Sequence, residues 1–148
     1  MCPVTHVYHE MYFHVNWHCH GNHGLITPGV EPLLYEAIRD YCHRYHGVSL
    51  LAVGGTQNHI HMVIQAEPAV CLSDLVGKVK GFSSHEINQK VGAKTLQWQK
   101  GYGIETFAKR NLAAMTRYVE RQKEHHARGT VNETLERSGG GEESCPWN

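Results

Sequence analysis

Residues 6–17 read HVYHEMYFHVNW. Val7, Met11, Phe13, Val15 and Trp17 fall on one side of a two-residue repeat, and Tyr8, Glu10, Tyr12, His14 and Asn16 on the other. This is the signature of a half-buried strand. A loop rich in Gly and His follows, HCHGNHGLITPG. Residues 31–46 then place Leu34, Ile38, Tyr41 and Tyr45 three to four apart. With Pro32 in the first turn and Gly47 past the end, they predict a helix. VSLLAV (48–53) is a second strand, GGTQN a turn and HIHMVIQ a third strand, so the two strands pair as an antiparallel hairpin. In that third strand His59 and His61 leave on one side, and Ile60, Met62 and Ile64 on the other.

The spacing of Leu75, Val76, Val79 and Phe82 predicts a helix over about 72–90, with Ser73 as N-cap and Gly81 as a weak point. TLQWQ (95–99) reads as a short fourth strand, and KGYGIETF as a turn that can lead into another short strand. Residues 109–127 form the last helix, carrying Leu112, Met115, Val119 and Gln122 nearly in line. The order β-α-β-β-α-β-α predicts an α+β sandwich, ferredoxin-like or RNA-recognition-like: an antiparallel sheet with helices on one face. On this reading the other face is open, and the histidine pair points into it. One domain over residues 1–130 is expected, followed by an acidic, Gly-rich tail over 131–148.

Composition narrows the classes. The 148 residues are 41% hydrophobic and 19% charged, enough for one folded domain with a core. No apolar run has the length of a membrane span and no signal pattern opens the chain, so a cytoplasmic protein is expected. The five cysteines are scattered and odd in number, which argues against a disulfide framework or a zinc knuckle. The formal net charge is +0 but uneven. Residues 109–128 hold six basic side chains against two acidic ones, whereas 131–148 hold one against four. A basic helix ahead of an acidic tail leaves room for a polyanionic partner.

Two imidazoles at i and i+2 on a strand can share a divalent cation, although H-x-H is unremarkable among 13 histidines. His18, His20 and His23 are a second, weaker candidate of the same kind. In the last helix Tyr118 and Gln122 lie four apart and share a face. A phenol is a poor nucleophile at neutral pH unless its target phosphate is polarised and held in line. A glutamine carbonyl can serve as a neutral oxygen ligand.

Together, H-hydrophobic-H on a central strand and a later Y-x-x-x-Q helix resemble the single-tyrosine HUH transposases of the insertion-sequence 200/605 group. YHEMYFHVNWH resembles the family's first strand, QNHIHMVIQAEP its HUH strand and LSDLVGKVKGFSSHEIN its second helix. LQWQKGYGIETF resembles the run before its last helix, and YVERQKEHH the tyrosine helix. The likeness covers most of residues 6–127. It implies that His59, His61 and Gln122 hold one Mg²⁺ or Mn²⁺, and that Tyr118 attacks single-stranded DNA at hairpin-bearing ends. The product would be a 5′-phosphotyrosine and a free 3′-OH, which a second strand's 3′-OH can reseal. It also implies a homodimer whose active sites are shared between subunits.

Arg117, Arg121, Lys78, Lys80, Lys109 and Arg110 are candidate phosphate contacts, with Lys94 and Lys100 behind them. Trp98 and Tyr102 are candidate base stackers. The family's first loop is rich in Lys and Arg where this chain has HCHGNHG, and often has Asp where this chain has Asn58. These departures bear on DNA affinity and target more than on chemistry. Three other readings stand beside this one: a domesticated relative that processes repeated palindromic elements, a non-catalytic nucleic-acid-binding module, and a histidine-rich metal carrier.

Overall fold

The computed structural model describes residues 7–139. Four strands form one antiparallel sheet: β1 (Tyr12–His18), β2 (Val48–Gly55), β3 (His59–Ala66) and β4 (Gly103–Phe107), in the order β2-β3-β1-β4. Helices α1 (Glu31–Arg44) and α2 (Leu72–Val91) pack on one face. That layer buries Phe13, Val15 and Trp17 from β1 against Ile60, Met62 and Ile64 from β3, with Leu34, Ile38, Leu75, Val76 and Val79 from the helices. The alternation read from the chain is therefore the alternation of the sheet, and the α+β sandwich is the fold.

The opposite face is not open. Helix α3 (Leu112–Glu120) crosses it and seats Val119, fully buried, on Ala52 and Val63, flanked by Leu112, Met115 and Phe107. The approach is backbone to backbone. A Cβ at Gly54 on β2 would collide with the Val119 carbonyl, so only glycine admits α3 this close. Strand β2 also shifts register between Leu50 and Ala52.

Four local expectations differ. Strand β1 starts at Tyr12, and Val7 and Tyr8 are exposed, because the ladder to β3 ends at the Tyr12–Gln65 pair and β4 ends at Phe107, also opposite Tyr12. Residues 95–99 make a single bridge, Trp98 to Cys19, rather than a strand. Helix α2 holds them instead: Asn88 accepts from the Thr95 and Leu96 amides, Trp98 Nε1 donates to the Lys80 carbonyl, and Lys80 Nζ donates to the Gln99 and Gly101 carbonyls. The place beside β1 goes to Gly103–Phe107. Cys71, not Ser73, stands at the N-cap of α2, and no side chain caps it. The last helix is broken at Arg121 (φ −107°, ψ 29°), so that Gln122 opens a separate α4 (Gln122–Arg128).

Cys19, Cys42 and Cys71 are free thiols. Cys2, Cys145 and residues 140–148 of the tail lie outside the described residues. Among the described residues, no helix is long and apolar enough to cross a membrane.

Candidate active site

Strand β3 delivers His59 and His61 to the face under α3, and both rings are buried. Their neighbours fix which nitrogen each presents. Asn58 Oδ1 lies 2.7 Å from His59 Nδ1 and Thr56 Oγ1 lies 2.9 Å from it. On β1, buried His14 puts Nε2 2.7 Å from His61 Nδ1, and its own Nδ1 lies 3.4 Å from Glu105 Oε2. With the His14 Nδ1 proton turned toward the Glu105 carboxylate, the His14 Nε2 lone pair accepts from His61 Nδ1–H. That assignment leaves the Nε2 lone pairs of both His59 and His61 facing α3 and α4. An acceptor bound to the outer ring nitrogen is what aligned metal-binding histidines carry.

Opposite the pair stand Gln122 and Tyr118. Gln122 is buried; its Oε1 lies 3.2 Å from His59 Nε2 and its Nε2 donates to the Tyr118 carbonyl. The helix break at Arg121 does not separate the two residues, because that hydrogen bond carries the amide across it. The Tyr118 ring stands edge-on to His61, with ring centres 6.1 Å apart. The predicted set His59, His61, Gln122 and Tyr118 is therefore brought together. All of these contacts lie within one chain, whereas the sequence likeness implied a site shared between subunits.

A residue of the acidic tail completes the cluster. Glu136 Oε2 lies 3.1 Å from His61 Nε2 and 3.4 Å from His59 Nε2, and its Oε1 accepts from the Tyr118 hydroxyl at 2.5 Å. His126 Nε2 is 3.5 Å from the same carboxylate. The Asn132 amide donates to the Tyr118 oxygen, fixing the turn that brings Glu136 in. Gly103 makes room for the tail, since a Cβ there would strike the Arg137 carbonyl and the Asn16 side chain.

Burial sets the electrostatics. It pushes His14 down to about 3 and His59 down to about 4, with repulsion from His61 adding to both, and it lowers His61 as well. The three rings are neutral at pH 7. Burial also pushes the Tyr118 phenol up, to about 12, and the bond to Glu136 adds to it. Burial alone would raise Glu136; the His61 ring beside it and the hydrogen bond from the Tyr118 hydroxyl reverse the sign and keep it ionised.

The donor set suits a small divalent cation. Two imidazole lone pairs, an amide oxygen and a carboxylate oxygen face one another with no proton donor assigned between them. His59, His126 and Glu136 likewise offer ligand atoms within 4.8 Å of one another.

The basic candidates divide. Arg117 and Arg121 are exposed and, with Arg128 and His125, line a groove of about 310 Å³ beside Tyr118. Arg110 is exposed. Lys78 pairs with Asp74 and Lys109 with Glu10. Lys80 spends its ammonium on two backbone carbonyls, and Trp98 packs edge-on against Trp17. His18 bonds Asn22 and stacks on His59; His20 and His23 are exposed.

A family model for IS200-like transposases matches residues 7–122. The chain belongs to this family. Among curated IS200-like transposases, the ISDra2 transposase TnpA of Deinococcus radiodurans is 22% identical over 77% of this chain and 85% of its own. The transposase for insertion sequence element IS200 of Salmonella typhimurium is 28% identical over 62% of this chain and 63% of its own length. Among solved structures, a crystal structure from Deinococcus radiodurans described as a transposase superposes with a TM-score of 0.64 at 20% identity. It covers 82% of this chain and 98% of that one. A REP-associated tyrosine transposase bound to a REP hairpin superposes with a TM-score of 0.60 at 13% identity, over 88% and 76%. At such identities the two structures establish the fold. An IS200-like transposase is thus a DNA-cleaving enzyme by family, with a described site whose nucleophile candidate and ligand candidates adjoin.

Glu136, His126, His14 and Glu105 escaped the sequence reading. His14 was placed on the polar side of β1, but only the register of β1 on β3 sets it beside His61. Nothing in the composition of the tail distinguishes Glu136 from its acidic neighbours.

Proposed function

We propose that this IS200-like transposase cleaves and rejoins single-stranded DNA at hairpin-bearing ends through a 5′-phosphotyrosine on Tyr118. The observation that carries the reading is the placement of the Tyr118 hydroxyl, through Glu136, beside two buried imidazoles whose Nε2 atoms face that carboxylate and Gln122. His59, His61 and Gln122 would hold Mg²⁺ or Mn²⁺. The ion supplies charge stabilisation to the scissile phosphate and lowers the cost of phenoxide attack.

The rest is the work of this chain. The half-buried phenol is neutral in the resting site, so it must lose its proton as it attacks phosphorus, and the Glu136 carboxylate already accepts that hydrogen. Attack breaks the P–O3′ bond and leaves the strand's 3′-OH free, while the new phosphodiester keeps the bond energy for rejoining. Arg117 and Arg121 flank the nucleophile and are suited to the backbone of the incoming strand; Arg110 and Arg128 could extend that path. Lys78, Lys80 and Lys109 are weaker candidates, since each already has a partner in the fold. The hairpin in one relative's structure is that protein's ligand, and it motivates the choice of substrate here. The family likeness implies a homodimer; the contacts within one chain support each subunit using its own Tyr118.

Labelled single-stranded oligonucleotides carrying element-end hairpins test the reading. Incubated with protein and Mg²⁺ or Mn²⁺, they should yield a slow, protease-sensitive band on a denaturing gel, absent without metal and absent in Tyr118→Phe. Hairpin binding without any adduct would instead support a non-catalytic module. Mixing Tyr118→Phe with His61→Ala should restore nothing if each subunit uses its own tyrosine.

A further inference from the structure

The contact that Glu136 of the tail makes with the site carries more than a hydrogen bond. Glu136 is half-buried, and among the described residues its carboxylate meets no Lys or Arg. Its neighbours within reach are His59, His61, His126 and the Tyr118 phenol. A buried carboxylate among neutral rings is costly unless a cation joins it. The hydrogen bond to Asn58 makes that mismatch sharper. It puts the His59 proton on Nδ1, so the His59 Nε2 lone pair faces the lone pairs of Glu136 Oε2, acceptor to acceptor.

The spacing has a natural explanation. Neighbouring ligands of an octahedral ion with bonds of about 2.1 Å stand about 3.0 Å apart. Glu136 Oε2 is 3.1 Å from His61 Nε2 and 3.4 Å from His59 Nε2, while Gln122 Oε1 is 3.2 Å from His59 Nε2. We infer that Glu136, from the acidic tail, is a further ligand of the divalent ion held by His59, His61 and Gln122, binding through Oε2 while Oε1 holds the Tyr118 hydroxyl. The inference rests on the metal reading proposed above and adds an anionic ligand to an otherwise neutral donor set. It also gives the tail a place in the active site: the same carboxylate that grips the ion orients the nucleophile.

The alternative is a plug, a carboxylate that fills the site only while no ion is there. Mn²⁺ titration of the full chain, read by electron paramagnetic resonance of the free ion, separates the two without any DNA. Wild type, Glu136→Gln, Glu136→Asp and His61→Ala are compared, with far-ultraviolet circular dichroism checking that each is folded. As a ligand, Glu136 predicts that Glu136→Gln binds Mn²⁺ about 10- to 100-fold more weakly, the loss typical of even outer-shell partners. Glu136→Asp should recover part of that loss.

Unchanged or tighter binding by Glu136→Gln overturns the inference in favour of the plug. If His61→Ala loses Mn²⁺ while Glu136→Gln keeps it, the inference fails and the histidine site stands. If wild type itself binds no Mn²⁺, the metal reading falls and takes this inference with it.

Discussion

Acid should unfold this protein earlier than its carboxylates would. His14 is fully buried between β3 and β4, with a folded pKa of about 3 against 6.5 for the free ring. As pH falls through 6.5 the unfolded chain takes up a proton on this ring and the folded chain does not. The stability is complete above 6.5 and drains away toward the folded value. From pH 6.5 to 4.5, binding that proton favours the unfolded state by about 2.3 kcal/mol. His59, with a folded value of about 4, adds about 2.1 kcal/mol over the same interval. Together these are about 4.4 kcal/mol, a large share of the roughly 5–15 kcal/mol that holds an ordinary domain together. His61 acts in the same direction. Glu136, held low, releases stability only as pH falls below about 4.5, and Glu105, pushed up by burial, has the opposite sign; neither titrates strongly in the unfolded chain within the interval. Urea unfolding followed by tryptophan fluorescence at several pH values, with EDTA present, measures the effect. His14→Gln should remove about half of the slope. A loss below about 1 kcal/mol between pH 6.5 and 4.5 would refute the picture of neutral, buried rings.

Two further substitutions probe the packing. Gly54→Ala drives a methyl into the Val119 carbonyl; it should cost about 1–3 kcal/mol in urea unfolding and suppress adduct formation by lifting Tyr118 off the pair. Lys80→Met removes two charge-assisted hydrogen bonds to residues 99 and 101, so it should lower stability by about 1.5–3 kcal/mol while leaving hairpin affinity in a gel-shift assay within about twofold of wild type.

The parts that local periodicity controls could be read from the chain. His59 and His61 on one face, Ile60, Met62 and Ile64 on the other, and the two first helices need only the two- and 3.6-residue repeats. Tyr118 and Gln122 were legible as neighbours for the same reason, and the break at Arg121 changed the helix without parting them. What stayed hidden depends on contacts distant in sequence. TLQWQ has strand composition, yet the side chains of α2 capture its backbone first. The fate of α3 depends on a glycine 65 positions earlier, which no pattern within the helix reveals. Glu136 is selected by a turn built on Asn132 and by the space at Gly103, so its role is invisible in a run of like charges.

The register shift between Leu50 and Ala52 sets a matter of parity. Leu50 pairs with Ile64 on the α1–α2 side, yet Ala52 pairs with Val63 and Gly54 with His61 on the site side. The extra residue at Leu51 is what hands the glycine to α3. Pairing β2 on β3 without that bulge would exchange the duties of Val53 and Gly54: a valine would stand under the Val119 carbonyl and the glycine would leave a gap in the main core. Leu51 itself is exposed, so its substitution should be tolerated as long as the bulge remains. The active site is protected from point changes at that edge and vulnerable to a one-residue slip of β2 on β3.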